Sequence, residues 1–384
     1  MGNMNVEIIS DFENFLALED SWNDLVSHSL NDVPFLRHEW FKIWWKHFVK
    51  ADDEVRIILI REGDTLVGIA PMMFTKESGA VLTYRVLKLM VNSHSMRSDI
   101  ILHRNKDHLA VIGRIWQEIR SMGGWDYVKL RDVPYYRNES VTIDMLKHVV
   151  EREGYAFSLE TPCLSPTIMS NGKDWEAYFK TRKGHFRRNL KRRHRKLEQE
   201  VGPVIIRTIE QQSEDLHQKL DEGLKVEASG WKGRQGSAIM KAKDVYQFYH
   251  DMAEEALRKG WLRLYYLFAG DNLLAFDYCM VYNRRFYLLK IGYDENFRRY
   301  SPGHLLKQHE IRECLENRFE EYDFLGHKME WKMEWADEVR PHYTVFVYGK
   351  TWRGFCRYML NVKLLPALRK STVLRKLKTK FVGN

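Results

Sequence analysis

One pattern occurs twice in this chain and limits the folds open to it. Val55–Phe74, VRIILIREGDTLVGIAPMMF, is two apolar runs joined at Gly63-Asp64. Leu262–Val281, LRLYYLFAGDNLLAFDYCMV, is two apolar runs joined at Gly270-Asp271. Such runs closed by Gly-Asp read as β-hairpins. At an offset of 207, Arg56 falls on Arg263, Gly63 on Gly270, Asp64 on Asp271 and Leu66 on Leu273. The first hairpin is followed by strand candidates at Val81–Val91 and Asp99–Leu102, a helix from Asp107 to Met122 and a strand, Trp125–Leu130. The second is followed by a strand, Phe286–Ile291, a helix, Pro302–Asn317, and Tyr322-Asp323-Phe324, which echoes Trp125-Asp126-Tyr127. The repeated order predicts a tandem duplication of one α/β unit with mixed sheets.

A chain of 384 residues exceeds one ordinary core, which agrees with two units. The expected division is 1–165 for a degenerate first unit, 166–350 for the second, and 351–384 for a basic tail. Hydrophobic residues at 44% and aromatics at 13% exclude a disordered chain. A formal charge of +9 points to anionic partners: a phosphorylated cofactor, nucleic acid or a membrane surface. Cys163, Cys279, Cys314 and Cys356 form no CxxC pair and read as reduced core thiols, so neither a zinc site nor a disulfide framework is expected. The first residues carry Glu7, Asp11 and Glu13 where a secretory signal would be basic and apolar, and no apolar run is long enough to span a bilayer. A cytoplasmic protein is the expectation. Residues 1–50 read as helices, and Trp22, Leu25, Phe35, Trp40, Phe41, Trp44 and Trp45 among them read as core.

The halves differ in chemistry. In the second, the strand Phe286–Ile291 leads through a basic loop into Ser301-Pro302-Gly303. Ser301 suits an N-cap, and Pro302 suits the first helical position because its missing N–H costs nothing there. Ile311, Cys314, Leu315 and Phe319 fall on one helix face. A strand, a basic loop and a helix start form an anion cradle, with Arg298 and Arg299 near enough to pair with phosphate oxygens. An ordinary strand-to-helix turn with solvated arginines fits the same residues. The first half has His103-Arg104-Asn105-Lys106-Asp107 at that place, so the cradle belongs to the second half alone.

Between the hairpins lies Lys180–Glu200, in which ten of the seventeen residues from Lys180 to Lys196 are Lys or Arg. Phe186, Leu190 and Leu197 give it a narrow apolar stripe, so it reads as a helix with a broad basic face, solvated or holding an anionic partner. Further on, Lys225-Val226-Glu227-Ala228-Ser229-Gly230-Trp231-Lys232-Gly233 suits a loop shaped around a ligand. Glu227 could serve as a general base or as a surface acid, and Trp231 could stack on a ligand or plug the core. Lys290 ends an apolar strand, so its ammonium is either paired, with Asp294 as a partner, or aimed into a site. Asp294 is itself either a base or a turn-former in Tyr293-Asp294-Glu295-Asn296. His304 and His327 are lesser candidates for a base. No Cys or Ser shows a nucleophile setting. His327-Lys328-Met329-Glu330 lacks further ligands at zinc spacing. The tail alternates Leu364, Leu365, Leu368, Leu374, Leu377 and Phe381 with basic residues, reading as amphipathic helix for an anionic lipid surface or for the chain's own domain.

Three stretches occur in this order: FRRNLKRRHRKL at 186–197, EASGWKG at 227–233 and YDENFRRYSPGHLL at 293–306. Together they resemble the CelD-like acetyltransferases of cellulose and exopolysaccharide biosynthesis, a branch of the GNAT superfamily. The tandem order is also similar to the FemAB-type peptidyltransferases. The resemblance covers about residues 170–335, and the first unit by architecture only. It implies two tandem GNAT-like units, with direct acyl transfer from acetyl-CoA or another acyl-CoA and no metal. The acceptor would be an amine or hydroxyl of a cell-envelope or exopolysaccharide precursor. Arg299-Tyr300-Ser301-Pro302-Gly303-His304 stands where the superfamily has its pyrophosphate loop, with Pro302 in place of an N–H donor. The residues so implied are Glu227 and Asp294 for catalysis, and Lys290, Arg298, Arg299, Ser301, Gly303 and His304 for the cofactor. Trp231, Lys232, Arg187 and Lys332 are implied for the acceptor. The FemAB likeness implies an aminoacyl-tRNA donor instead. A non-catalytic protein bound to nucleic acid or to the inner face of a membrane is the third possibility.

Overall fold

The computed structural model describes residues 4–79, 82–136, 139–211, 215–230 and 238–364. The first hairpin forms from β2 (Glu54–Glu62) and β3 (Thr65–Ser78), preceded by β1 (Met4–Ile9) and followed by β4 (Thr83–Leu89), β5 (Ile101–Leu102) and β6 (Tyr127–Pro134). Two strands then cross the middle, β7 (Ala156–Leu159) and β8 (Cys163–Met169). The second series is β9 (Val204–Ile209), β10 (Leu262–Ala269), β11 (Asn272–Tyr282), β12 (Arg285–Tyr293) and β13 (Glu321–Asp323), and the last strand is β14 (Glu338–Tyr348). All join one sheet in the order β1-β2-β3-β4-β6-β14-β8-β13-β12-β11-β10-β9, with β5 on β3 and β7 on β14. That order has the same plan from either edge. β14 lies on β6 of the first half and β8 lies on β13 of the second, so each half hands a strand across the seam.

The duplication holds at the level of single hydrogen-bonded pairs. Arg61 faces Leu66 and Glu62 faces Thr65, while Phe268 faces Leu273 and Ala269 faces Asn272, the same pairs moved by 207. Both hairpins carry a β-bulge at the same place, between Ile60 and Arg61 and between Leu267 and Phe268. Gly63 and Gly270 take φ of +58° and +54°, which a Cβ would strain, while Asp64 and Asp271 after them do not take positive φ, the pattern of a type II′ turn. The parallel pairs match as well: Leu87 with Val128, and Phe286 with Tyr322. This corrects one expectation. Tyr322 superimposes on Val128, so its echo of Trp125-Asp126-Tyr127 is three residues out of register and carries no homology.

Helices cover both faces. His108–Met122, N-capped by the Asp107 side chain on the Ala110 N–H, buries Val111, Ile112, Ile115, Trp116 and Ile119. Pro302–Glu316 buries Leu305, Leu306, Ile311, Cys314 and Leu315, whereas Phe319 falls beyond its end. On the opposite face one core runs through both units. Trp22, Trp40, Phe41 and Trp44 of the first join Phe248, Tyr249, Tyr278 and Tyr287 of the second, with the Trp40 and Phe248 rings 5.3 Å apart edge to face. The aromatic cluster of residues 1–50 is therefore core and also the seam between units. The basic stretch is one helix, Gly184–Glu200, preceded by a short helix, Trp175–Lys180, that ends where the stretch begins. Phe186, Leu190 and Leu197 are its buried stripe. Cys279 and Cys314 are buried, Cys163 and Cys356 half-buried, and all four are free thiols. Among the described residues no helix is long and apolar enough to cross a membrane. Residues 365–384, most of the tail with its lipid-facing expectation, lie outside the described residues.

Candidate active site

β12 and β13 run parallel over Arg285–Tyr287 and Glu321–Asp323 and then part, because β13 ends while β12 continues to Tyr293. A pocket of about 500 Å3 opens in that gap, at the carboxyl ends of the parallel strands. β12 forms one wall from Leu288 to Tyr293; the helix start Ser301–His304, with Lys307, forms another. Glu227, Asp277, Phe324, Trp331 and Lys332 complete it. A β-bulge sits in this wall. Cys279 faces Leu288 and Tyr278 faces Lys290, so Leu289 has no opposite residue and the side chains beyond it change faces.

Glu227 lies two residues from the end of the helix Leu216–Ser229, only 3% exposed, and its Oε2 accepts the Ile239 N–H at 3.2 Å. The helix can approach because β12 has Gly292 there: a Cβ on Gly292 would come within 2.5 Å of the Glu227 Cα. Gly292→Ala should therefore push this helix off the sheet. We expect a stability loss of about 1–3 kcal/mol, the usual cost of forcing extra atoms into a packed core, read from urea unfolding. An unchanged midpoint would mean that the helix is free to move.

One expectation about local contacts changes. Ser301 does not cap with its side chain. It takes the left-handed conformation, φ +53°, and its Oγ accepts a hydrogen bond from Arg193 Nη1 at 2.7 Å. The capping role upstream falls to Asp294, whose Oδ1 accepts the Asn296 N–H at 2.9 Å. Lys290 Nζ lies 3.3 Å from His94 Nδ1 and 5.2 Å from the centre of the Tyr249 ring. Pro302 carries no N–H, and the Ser301 carbonyl accepts those of His304 and Leu305, leaving Gly303 to offer its own at the pocket.

Of the residues singled out in the sequence, Glu227, Lys290, Arg298, Ser301, Gly303, His304 and Lys332 line this one pocket. Lys332 is buried and donates to the Phe324 and Leu325 carbonyls at 3.2 and 2.6 Å. His304 receives the Trp335 indole N–H on Nδ1 at 3.0 Å, and burial, with Arg193 and Lys307 adding to it, pushes its pKa down to about 4. It is a neutral spacer whose acceptor nitrogen is taken. Asp294, Arg299 and Arg187 stand elsewhere. Arg299 pairs with Glu200 at 3.1 Å, and Arg187 donates from Nε to the Arg182 carbonyl at 3.2 Å. His327 is exposed outside the pocket. Trp231 and Lys232 lie outside the described residues.

Sequence reading missed a charged cluster beneath the pocket. Lys307 Nζ donates to Asp277 and to both oxygens of Glu310, at 3.0 and 3.1 Å, and the Tyr322 hydroxyl donates to Glu310 as well. Lys307 and Asp277 reach the pocket while Glu310 is fully buried behind them. Burial holds the Glu310 carboxyl well above the usual range, and the two carboxylates hold the Lys307 ammonium above its own. The signal was available. Asp277 interrupts the apolar run LLAFDYCMV, where an ionisable side chain is rare unless paired. A second cavity of about 600 Å3 lies at the seam, where Arg97 pairs with Asp323 and Arg340 with Glu321 and Glu338, and where the buried Asp99 carboxyl accepts from the Asn31 side chain. Among the described residues no group of side chains is placed to hold a metal ion.

Residues 184–333 match the family model of the acetyltransferase (GNAT) domain. That span includes the basic helix, Glu227, β12 and the helix start. No curated protein matches the sequence. The fold is similar to that of FemX, with a TM-score of 0.59 and 12% identity over 93% of this chain and 99% of that one. It is also similar to a conserved protein of unknown function from Bacteroides thetaiotaomicron, TM-score 0.55 and 12% identity over 89% and 100%. L-PGS from Bacillus licheniformis gives a TM-score of 0.50 and 13% identity over 92% and 96%. At these identities the likeness is one of fold.

Proposed function

We propose that this chain transfers an acyl group directly from an acyl-CoA to an amine or hydroxyl, using the pocket between β12 and β13. The observation that carries the reading is one helix start, Ser301–His304, opening on the gap between two parting parallel strands. Carboxylate, ammonium and basic groups gather around it, within the stretch that matches an acetyltransferase domain. The phosphates of the carrier would lie at the Gly303 N–H and the helix dipole, with Arg298 on the pocket rim and Arg193 held at Ser301. Glu227 would take the proton of the attacking acceptor, and Lys290 and Lys332 would face the charge that develops on the thioester oxygen. The carbon–sulfur bond then breaks and CoA leaves as its thiolate. The acceptor class is that implied by the CelD-like resemblance, a cell-envelope or exopolysaccharide precursor.

A second reading keeps the pocket and changes the donor. Lys191, His194, Arg195, His309 and Arg312 line a groove of about 330 Å3 between the basic helix and Pro302–Glu316, a surface suited to RNA phosphates and hence to an aminoacyl-tRNA. Calorimetry on the full chain decides between them. Acetyl-CoA is expected to bind at roughly micromolar to millimolar concentration. Gly303→Trp should weaken it at least about tenfold, since a Cβ there meets only Tyr293, at 3.9 Å, and the indole would then occupy the pocket. Binding of aminoacyl-tRNA without acyl-CoA would favour the second reading.

A further inference from the structure

The matched register of the two halves isolates one difference between them. Leu89 and Ile101 of the first half correspond to Leu288 and Gly292 of the second, because each pairs with the same position of its hairpin. Between the latter two lie only residues 289–291, which hold the β-bulge, whereas between the former two lie residues 90–100. The longer segment leaves its own unit. Arg97 on it is buried and donates from Nη2 to Asp323 at 2.6 Å and to Ser165 at 2.8 Å, which fixes the segment against β13 and β8. The Asn92 side chain accepts the His94 N–H at 2.9 Å in a local turn. His94 stacks on Phe48 with ring centres 5.9 Å apart. Its Nδ1 lies 3.2 Å from the Tyr249 hydroxyl and 3.3 Å from Lys290 Nζ. A lysine ammonium has only donors to offer, so Nδ1 accepts and the ring proton sits on Nε2. Burial, reinforced by Lys290 and Arg131, pushes the His94 pKa down to about 3 and keeps the ring in that neutral form.

We propose that the first unit completes the active site of the second: His94 is a positioning residue that holds the Lys290 ammonium at the pocket wall. There Lys290 donates a hydrogen bond to the oxygen of the thioester as the acceptor bonds its carbon and the carbon–sulfur bond breaks. Neither His94 nor Lys290 transfers a proton in this step. The proposal rests on the acyl-transfer reading, and its test separates the two.

The full chain, with its lysines 13C-methylated, is compared by NMR as wild type, His94→Ala and His94→Gln, the Lys290 signal being assigned from its loss in Lys290→Arg. The signal is expected to move in His94→Ala and to return toward its wild-type position in His94→Gln, whose side-chain oxygen can accept the same bond. CoA release from acetyl-CoA, with glucosamine as a probe acceptor, is then measured. His94→Ala should lower kcat about tenfold with KM for acetyl-CoA changed less than about twofold, the split expected for an interaction made only in the transition state. The double variant His94→Ala, Lys290→Met should be no slower than Lys290→Met alone. An unmoved Lys290 signal overturns the positioning whatever the chain acylates. A moved signal with unchanged kcat, or losses that multiply in the double variant, overturns its part in catalysis. If wild type does not use acetyl-CoA while the signal still follows His94, the acyl-transfer reading has failed. The catalytic half of the proposal then falls with it, and the contact between units stands.

Discussion

Lys307→Met is expected to lower folding stability by about 3–5 kcal/mol, the usual result of removing one partner from a buried charge cluster. Lys307 is 2% exposed and Glu310 fully buried, with Asp277 at 1%. Methionine fills a similar volume, so the loss would be electrostatic: two carboxylates would remain in the core with no cation between them. A domain stability of about 5–15 kcal/mol could lose a third or more in this way. Replacing all three, as Lys307→Met, Asp277→Leu and Glu310→Leu, should recover most of the loss, since apolar side chains of similar volume replace buried ion clusters at little cost. Urea unfolding of the single and triple variants measures this. A single variant as stable as wild type would show that water reaches the cluster.

The sign of the pH dependence follows from the same cluster. Burial already holds the folded Glu310 carboxyl above its usual range, and Lys307 is the main group pulling it down. Without that cation the folded value rises further above the unfolded one, near 4.3. A carboxyl with a raised folded value binds a proton that the unfolded chain has released. Its contribution is therefore intact below the unfolded value and is lost as pH climbs toward the folded one. The deficit of Lys307→Met relative to wild type should be smaller at about pH 5 than at about pH 8. Equal deficits at both would show that Glu310 takes up no proton in the variant.

The parts of this molecule legible in its sequence are those fixed by short-range rules. The hairpins showed because Gly63-Asp64 and Gly270-Asp271 turn chemistry sets the register of the strands beside it, down to the shared bulge. The helix start at Pro302 showed because proline tolerates few other places. What escaped was decided by partners far along the chain. Arg193 holds Ser301 across 108 residues, and His94 meets Lys290 across 196. Nothing local marks Met90–Ile100 as a segment bound for the other unit. The Asp277 cluster was hidden differently. Its counterpart at the same offset is Ala70, buried and apolar, so matching the halves draws attention to what they share and away from where the second has gained charge. The exchange of β8 and β14 had no signal at all, since an edge strand carries no mark of which sheet will accept it.

Glu227→Gln is expected to lower kcat about 100-fold or more, the range lost with a general base, while acetyl-CoA affinity stays within about twofold. The substitution is nearly isosteric, and the new amide keeps an oxygen to accept the Ile239 N–H that the carboxylate now accepts. Packing of the helix on Gly292 is backbone packing and should survive. The variant therefore removes the ability to take a proton and keeps an acceptor for the Ile239 N–H. Glu227 reaches the pocket from the helix side, opposite the Ser301–His304 cradle, so the phosphates and the acceptor need not compete for it. Stopped-flow acylation with saturating acetyl-CoA, alongside calorimetry and urea unfolding, separates the outcomes. Unchanged turnover removes Glu227 as the base and leaves Asp277, the other carboxylate reaching the pocket from within the sheet, as the group to replace next. A fall in affinity equal to the fall in rate would place Glu227 on the bound substrate in its ground state rather than on the proton in flight.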